Sequence, residues 1–224
     1  MSRIKGAAAG DLFGPASEAA AGIAAICRGA TVLRRFVEPD AAALLAAVAG
    51  VERLAPFRHM VTPGGFRMSV AMTNCGEVGW VTDRQGYRYQ ATDPEAAQAW
   101  PAMPDILRGF AERAALWAGF EGYTPDSCLI NRYERPARLS LHQDRNERDM
   151  RQPIVSVSLG QPAVFLFGGE TRSDRPRRIP LQHGDVVVWG GPARLAFHGV
   201  DAPAAGAHPL TGASRINLTF RKAL

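Results

Sequence analysis

The sequence predicts an α+β fold, an antiparallel sandwich or jelly roll bearing helices, with a polar site near one open end. Three observations predict it. Short strand-like segments crowd the chain after position 128, two segments with apolar residues at helical spacing precede them, and a stretch rich in Gly, Thr and aromatics separates the two helices. At 224 residues, 46% of them hydrophobic, the chain can bury a full core as one domain.

The first thirty residues are rich in Ala and Gly and are expected to form an N-terminal arm, 1–30, with a short helix over 16–27. A single domain, 31–224, follows. Asp40 is placed to cap a helix running through Leu44, Leu45 and Val48, and Pro104 or Asp105 opens another in which Ile106, Phe110, Ala114 and Trp117 recur at helical spacing. Both are expected to pack on a sheet. Between them, Pro63-Gly64-Gly65 and Arg84-Gln85-Gly86-Tyr87 supply turns among short strands, and a substrate-covering lid is expected over 56–92. Strands are expected at 128–133, 138–142, 154–159, 164–167, 185–189 and 216–220, within a jelly roll spanning 125–224.

Composition fits a cytoplasmic protein. The longest weakly polar run, 41–51, is too short to span a bilayer, and Ser2-Arg3-Ile4-Lys5-Gly6 leads into small residues instead of a signal-peptide apolar core. No membrane association is expected. Cys27, Cys75 and Cys128 are odd in number and widely spaced, which suggests reduced thiols and neither a disulfide framework nor a zinc ribbon. The net charge of +5 permits attraction to phosphate without requiring it. Arginines cluster at Arg132/Arg135/Arg138, Arg145/Arg148/Arg151 and Arg172/Arg175/Arg177/Arg178, which suits phosphate contacts. With only Lys5 and Lys222 as lysines, arginine is equally readable as the default surface cation.

The chemistry is carried by ligands spread along the chain: His142-Gln143-Asp144, then His198, then 215–221. In an extended strand residues i and i+2 share a face, so His142 and Asp144 can aim at one ion and a distant histidine can complete the set. Two imidazoles and a carboxylate on one side of an octahedral ion leave adjacent positions open, the facial arrangement of non-haem Fe(II) oxygenases. His183-Gly184-Asp185 has the same spacing, although Gly-Asp before Val186-Val187-Val188 also reads as a turn feeding a buried strand. His59 and His208 read as surface or packing residues. Arg215, Asn217 and Arg221 share one face of a strand while Ile216, Leu218 and Phe220 take the other. Two guanidiniums on one face suit a small dicarboxylate, and equally describe an amphipathic surface strand.

The chain resembles the AlkB family of iron- and 2-oxoglutarate-dependent nucleic-acid dealkylases. The resemblance runs from about Arg34 to the end, through Pro56-Phe57-Arg58-His59-Met60-Val61-Thr62-Pro63-Gly64-Gly65, Met68-Ser69-Val70-Ala71-Met72-Thr73-Asn74-Cys75-Gly76, Asn131-Arg132-Tyr133, Leu139-Ser140-Leu141-His142-Gln143-Asp144 and Asn217-Leu218-Thr219-Phe220-Arg221. It implies a double-stranded β-helix in which His142, Asp144 and His198 hold Fe(II), and it leaves His183-Gly184-Asp185 to a structural hairpin. It further implies that Arg215, helped by Tyr133 and Asn217, pairs with the distal carboxylate of 2-oxoglutarate. Arg221 and Asn131 would hold the end that chelates iron, with O2 as the other co-substrate. Trp80, Tyr87 and Tyr89 fall in a nucleotide-recognition lid, with Thr62, Met68 and Met72 beside it and Arg138 and Arg172 near the nucleic-acid strand. Trp80 would stack on an extruded base opposite His142.

The implied reaction is oxidative demethylation of 1-methyladenine or 3-methylcytosine, releasing formaldehyde, in single- or double-stranded DNA and by extension RNA, by a monomer. A base inside a duplex cannot reach a buried metal, so it is extruded or already unpaired. Two departures from the family pattern stand out: Asn146 where a second carboxylate follows the metal aspartate, and Phe66 where tyrosine is usual. The competing classes are an oxygenase directed at RNA or protein, and a nucleic-acid-binding module without iron chemistry.

Overall fold

The computed structural model describes residues 22–224. Where a helix was expected over 16–27, the described part is a strand: β1 (Gly22–Cys27) turns into β2 (Ala30–Arg34), and residues 16–21 lie outside the described residues. Alanine's helix preference is weak and yields to the ladder, in which Ile23 faces Leu33 and Ala24 faces Val32. Gly29 makes the turn at φ +84°, where an added Cβ would lie 2.5 Å from the Gly190 carbonyl oxygen. This hairpin is part of the main sheet.

Two helices follow the expected positions, α1 (Ala41–Leu54) and α2 (Asp105–Trp117). Asp40 does not cap α1 through its side chain; its carboxylate accepts from Arg113 Nη2 at 2.5 Å and so ties the start of α1 to α2. On α2, Leu107, Phe110, Ala111 and Ala114 are buried, while Ile106 and Trp117 flank that stripe in solvent.

The remaining strands are β3 (Ala71–Gly76), β4 (Gly79–Asp83), β5 (Gly86–Gln90), β6 (Ser127–Tyr133), β7 (Leu139–His142), β8 (Ile154–Gly160), β9 (Ala163–Phe167), β10 (Arg177–Leu181), β11 (Val186–Trp189), β12 (His198–Val200) and β13 (Arg215–Arg221). They form a seven-stranded sheet in the order β1-β2-β11-β8-β13-β6-β3, a four-stranded sheet β10-β9-β12-β7, and the ribbon β4-β5. All pairings within these sheets are antiparallel. The two larger sheets give the jelly roll, with the helices covering the outer face of the seven-stranded one.

Side-chain alternation divides the interior. Val186 and Val188 of β11, Val155 and Val157 of β8, and Leu218 and Phe220 of β13 join the helices in one apolar cluster. Ile154, Val187, Trp189, Phe165 and Phe167 form a second between the sheets. On that inner side β8 also offers Ser156 and Ser158, and β13 offers Arg215, Asn217, Thr219 and Arg221, all buried. Strands β10 and β12 were not expected from sequence. β10 is an edge strand, the position that tolerates its Pro180, and β12 has only three residues.

The second His-x-Asp is structural. His183 Nδ1 accepts from Gly160 N at 2.9 Å, and Asp185 accepts from Arg34 Nη1 at 2.6 Å, Arg35 N at 3.0 Å and Gln182 N at 2.9 Å. No helix among the described residues is long and apolar enough to cross a membrane.

Candidate active site

The last residue of β7 and the first of β12 are cross-strand partners, His142 and His198, and their rings stand 4.4 Å apart. Asp144 lies just past the end of β7. His142 Nε2 is 3.9 Å from Asp144 Oδ1, and His198 Nε2 is 3.7 Å from Asp144 Oδ2. All three ligand atoms lie within 4.8 Å of one another, close enough to share one ion.

The side chains are oriented for that task. His142 Nδ1 sits 2.9 Å from Ser140 O and His198 Nδ1 sits 3.0 Å from Ala196 O. A carbonyl can only accept, so each Nδ1 carries the proton and each Nε2 keeps its lone pair for a metal. Burial, then the neighbouring His142, pull His198 down to about 4, so its imidazole is neutral at pH 7. Burial alone would raise the Asp144 carboxyl; Arg221, His198 and His142 around it hold it well below the usual carboxylate range. The set offers two imidazole nitrogens and one carboxylate.

These ligands open onto a cavity of 540 Å³. One wall is the inner face of β6, β8 and β13, where Asn131, Tyr133, Ser156, Asn217, Thr219 and Arg221 present polar groups. The β4-β5 ribbon also lines the cavity, with Trp80 and Tyr87 stacked at 5.7 Å and 22°. Thr62, Met68, Met72, Asn146 and Arg172 also border the cavity. Three buried polar atoms here have no hydrogen-bond partner among the described residues: the donors Arg221 Nη1, on the cavity wall, and Arg215 Nη1, deeper behind it, and the acceptor Asn131 Oδ1. Buried orphan guanidinium donors are costly, and an anion bound between them satisfies them. Two imidazoles, a carboxylate and two guanidiniums therefore fit Fe(II) with a keto-dicarboxylate.

Three expected site residues sit elsewhere. Arg215 lies deeper, 1% exposed, with its guanidinium 5.1 Å from the Tyr133 ring and Nη2 donating to Ser158 Oγ at 2.8 Å. Burial pushes the Tyr133 phenol up to about 12, so it is neutral there. Tyr89 points past the cavity, its hydroxyl donating to Glu147 Oε1 at 2.6 Å. Arg138 is exposed, its backbone paired with Ser69 Oγ. Sequence reasoning missed Ser156, Ser158 and Arg194, and offered Glu147 only as a substitute charge beside Asn146 and not as a buried partner of Tyr89 and Arg194. The serines could have been found, since they interrupt Val155, Val157 and Leu159 at every second position; Glu147 and Arg194 look like ordinary surface charges.

A family model described as the 2OG-Fe(II) oxygenase superfamily matches residues 29–221. The alpha-ketoglutarate-dependent dioxygenase AlkB of Escherichia coli K12 is 55% identical over 198 residues, covering 88% of this chain and 92% of that protein. The AlkB homolog of Caulobacter vibrioides NA1000 is 44% identical over 216 residues, covering 92% and 95%. The solved structure of OsALKBH1 superposes with a TM-score of 0.78 at 26% identity, covering 90% of this chain and all of that one.

Proposed function

The chain belongs to the 2OG-Fe(II) oxygenase superfamily and within it to the AlkB dioxygenases, and on that premise we propose that it removes methyl groups from ring nitrogens of bases in nucleic acid. The observation that carries the reading is the cavity itself, lined by the His142, Asp144 and His198 ligands together with an aromatic ribbon bearing Trp80 and Tyr87. An extruded base is flat and needs a π-face to lie on, and the lid supplies one.

When bound, iron, 2-oxoglutarate and O2 supply the oxidising chemistry, with succinate and CO2 as by-products and a hydroxylated N-methyl carbon that departs as formaldehyde. The chain's own residues bind and aim. His142, Asp144 and His198 hold the metal, while Arg215 with Tyr133 and Asn217 takes the distal carboxylate of the keto acid. Arg221 and Asn131 take the near end. Trp80 and Tyr87 stack on the base, Thr62 and Met72 shape the pocket beside them, and Asn146 accepts from an exocyclic amine. Arg172 and Arg138 lie toward the phosphates. Every residue of this site comes from one chain, so a monomer suffices, and the free cysteines fit a reducing compartment such as the cytoplasm.

The test is formaldehyde release from a single-stranded DNA oligonucleotide carrying 3-methylcytosine, with Fe(II), ascorbate and 2-oxoglutarate. Release that requires 2-oxoglutarate and vanishes in the His142→Ala, Asp144→Ala double variant is the expected result. Absence of release from folded, iron-loaded protein would sink the DNA reading.

Two substitutions probe the base. Trp80→Ala removes the stacking surface while Asn74 still clamps the backbone, its Nδ2 donating to Trp80 O at 3.0 Å and its Oδ1 accepting from Trp80 N at 3.0 Å. Base stacking on an aromatic is worth about 1–3 kcal/mol, so oligonucleotide affinity should fall roughly 5- to 150-fold. Fluorescence anisotropy with Mn(II) in place of iron reads this out, and an unchanged affinity would remove Trp80 from the base site. Asn146, unlike a carboxylate, gives no charge attraction to cationic lesions. A unit-charge contact near 4 Å is worth at most about 4 kcal/mol at a surface-like dielectric, and a third of that is a factor of about ten. Asn146→Asp should therefore raise the rate on 3-methylcytosine relative to neutral 3-methylthymine by about tenfold, and an unchanged ratio would show that this position does not set charge preference.

A further inference from the structure

In the ribbon, Trp80 opposes Tyr89 and Thr82 opposes Tyr87, so the three aromatic side chains share one face. Two of them line the cavity. Tyr89 instead reaches into a buried cluster whose centre is Glu147, a carboxylate 2% exposed. Glu147 Oε1 accepts from Tyr89 at 2.6 Å and lies 3.4 Å from Arg221 Nε, while Oε2 accepts from Arg194 Nη2 at 3.0 Å. Arg194 also donates to Asp144 O at 2.7 Å and Gln152 O at 2.9 Å. Arg221 donates through Nε and Nη2 to Asp144 Oδ2 at 2.9 and 2.6 Å. Two buried carboxylates thus face two buried guanidiniums, and the lid is hydrogen-bonded into the set.

We infer that Tyr89 and Glu147 are positioning residues that couple the nucleotide lid to the co-substrate end of the metal site, so that the lid is held in place when 2-oxoglutarate is bound. The inference rests on the reading of Arg221 as a co-substrate ligand. Charge balance gives the mechanism. Once Asp144 turns its charge to a metal ion, Arg221 loses its closest anion, and Glu147 is the remaining carboxylate that fixes it. Arg221 Nη1, unpartnered among the described residues, is then free for the keto acid. A co-substrate that pulls on Arg221 pulls on Glu147, and Glu147 holds Tyr89 of the lid. Trp80 and Tyr87 ride on the same ribbon, so the base-stacking surface is set by whether the co-substrate is present. Coupling between two sites is reciprocal, so an ordered lid must tighten 2-oxoglutarate by the factor with which 2-oxoglutarate orders the lid.

Tyr89→Phe removes one oxygen from this chain of contacts and is the least disruptive test. Hydrogen exchange of residues 79–90 is followed in protein loaded with Mn(II), with and without 2-oxoglutarate, and the 2-oxoglutarate dissociation constant is measured by calorimetry. In the wild type, 2-oxoglutarate should slow exchange of the ribbon about fivefold or more. In Tyr89→Phe that slowing should be lost and 2-oxoglutarate should bind weaker by a similar factor. Glu147→Gln, which can still accept from Tyr89 but holds no charge against Arg221, should lose the response as well. If Tyr89 merely fastens the ribbon, Tyr89→Phe will speed exchange equally with and without 2-oxoglutarate and leave the dissociation constant unchanged, which overturns the coupling. A wild-type ribbon indifferent to bound 2-oxoglutarate overturns it too. No nucleic acid enters the experiment, so its failure is separable from failure of the dealkylation reading, and an Arg221→Lys control that binds 2-oxoglutarate normally would overturn the assignment of Arg221 and the inference with it.

Discussion

Asp144→Ala should abolish formaldehyde release and also destabilise the metal-free protein by about 3–5 kcal/mol, the cost of leaving a buried charge without its partner. Asp144 is 10% exposed and takes two hydrogen bonds from Arg221, which is 6% exposed. With the carboxylate gone, Arg221 keeps only Glu147 at 3.4 Å, already engaged by Tyr89 and Arg194. Against a total stability of roughly 5–15 kcal/mol the loss is large. His142→Ala should behave differently. Its side chain is 38% exposed and stands 3.9 Å from Asp144, whose hydrogen bonds come from Arg221, so activity should vanish with little change in stability. Urea unfolding of the two metal-stripped variants, run beside formaldehyde release, separates a residue that only holds metal from one that also holds the site together. Equal unfolding midpoints would refute the ion-pair argument while leaving the ligand argument intact.

The legible parts of this molecule are those in which a local pattern and the fold agree. In β13 the odd-numbered residues face the cavity side and the even-numbered ones face the helices, as alternation requires. The two His-x-Asp sequences were inseparable by spacing. Their environments differ, since Asp185 is saturated by Arg34 and two backbone N–H groups while Asp144 shares its oxygens with two imidazoles and Arg221. Family resemblance picks the first of them where spacing does not, and it is the first whose ligand atoms converge with those of His198. The hairpin of β1 and β2 was illegible because alanine reads as helix until a partner strand is present, and β12 because three residues carry no period. Family resemblance groups Tyr89 with Trp80 and Tyr87, but its hydrogen-bond partner is 58 residues away and nothing local marks Glu147 as buried.

Arg215→Met should make the co-substrate-free protein more stable, by about 1 kcal/mol or more, while nearly eliminating 2-oxoglutarate binding. Arg215 is 1% exposed, and none of the ion pairs among the described residues includes it. Ser158 Oγ accepts from Nη2, Nη1 has no partner among the described residues, and burial pulls the guanidinium below its usual basicity. A buried cation facing a phenol ring and a hydroxyl is under-compensated until an anion arrives, so an apolar chain of similar length relieves the empty site. The same change removes the paired N–H donors for the distal carboxylate. Truncating one partner of a buried charged contact costs about 2–5 kcal/mol, or at least roughly 30-fold in affinity. Thermal unfolding of Mn(II)-loaded protein shows both effects in one experiment. The wild type should rise in Tm with 2-oxoglutarate, since a ligand bound only to the folded state stabilises it, whereas Arg215→Met should start higher and not respond. A variant that melts lower than wild type yet shifts normally with 2-oxoglutarate would mean that Arg215 is a packing residue and that the dicarboxylate is held elsewhere.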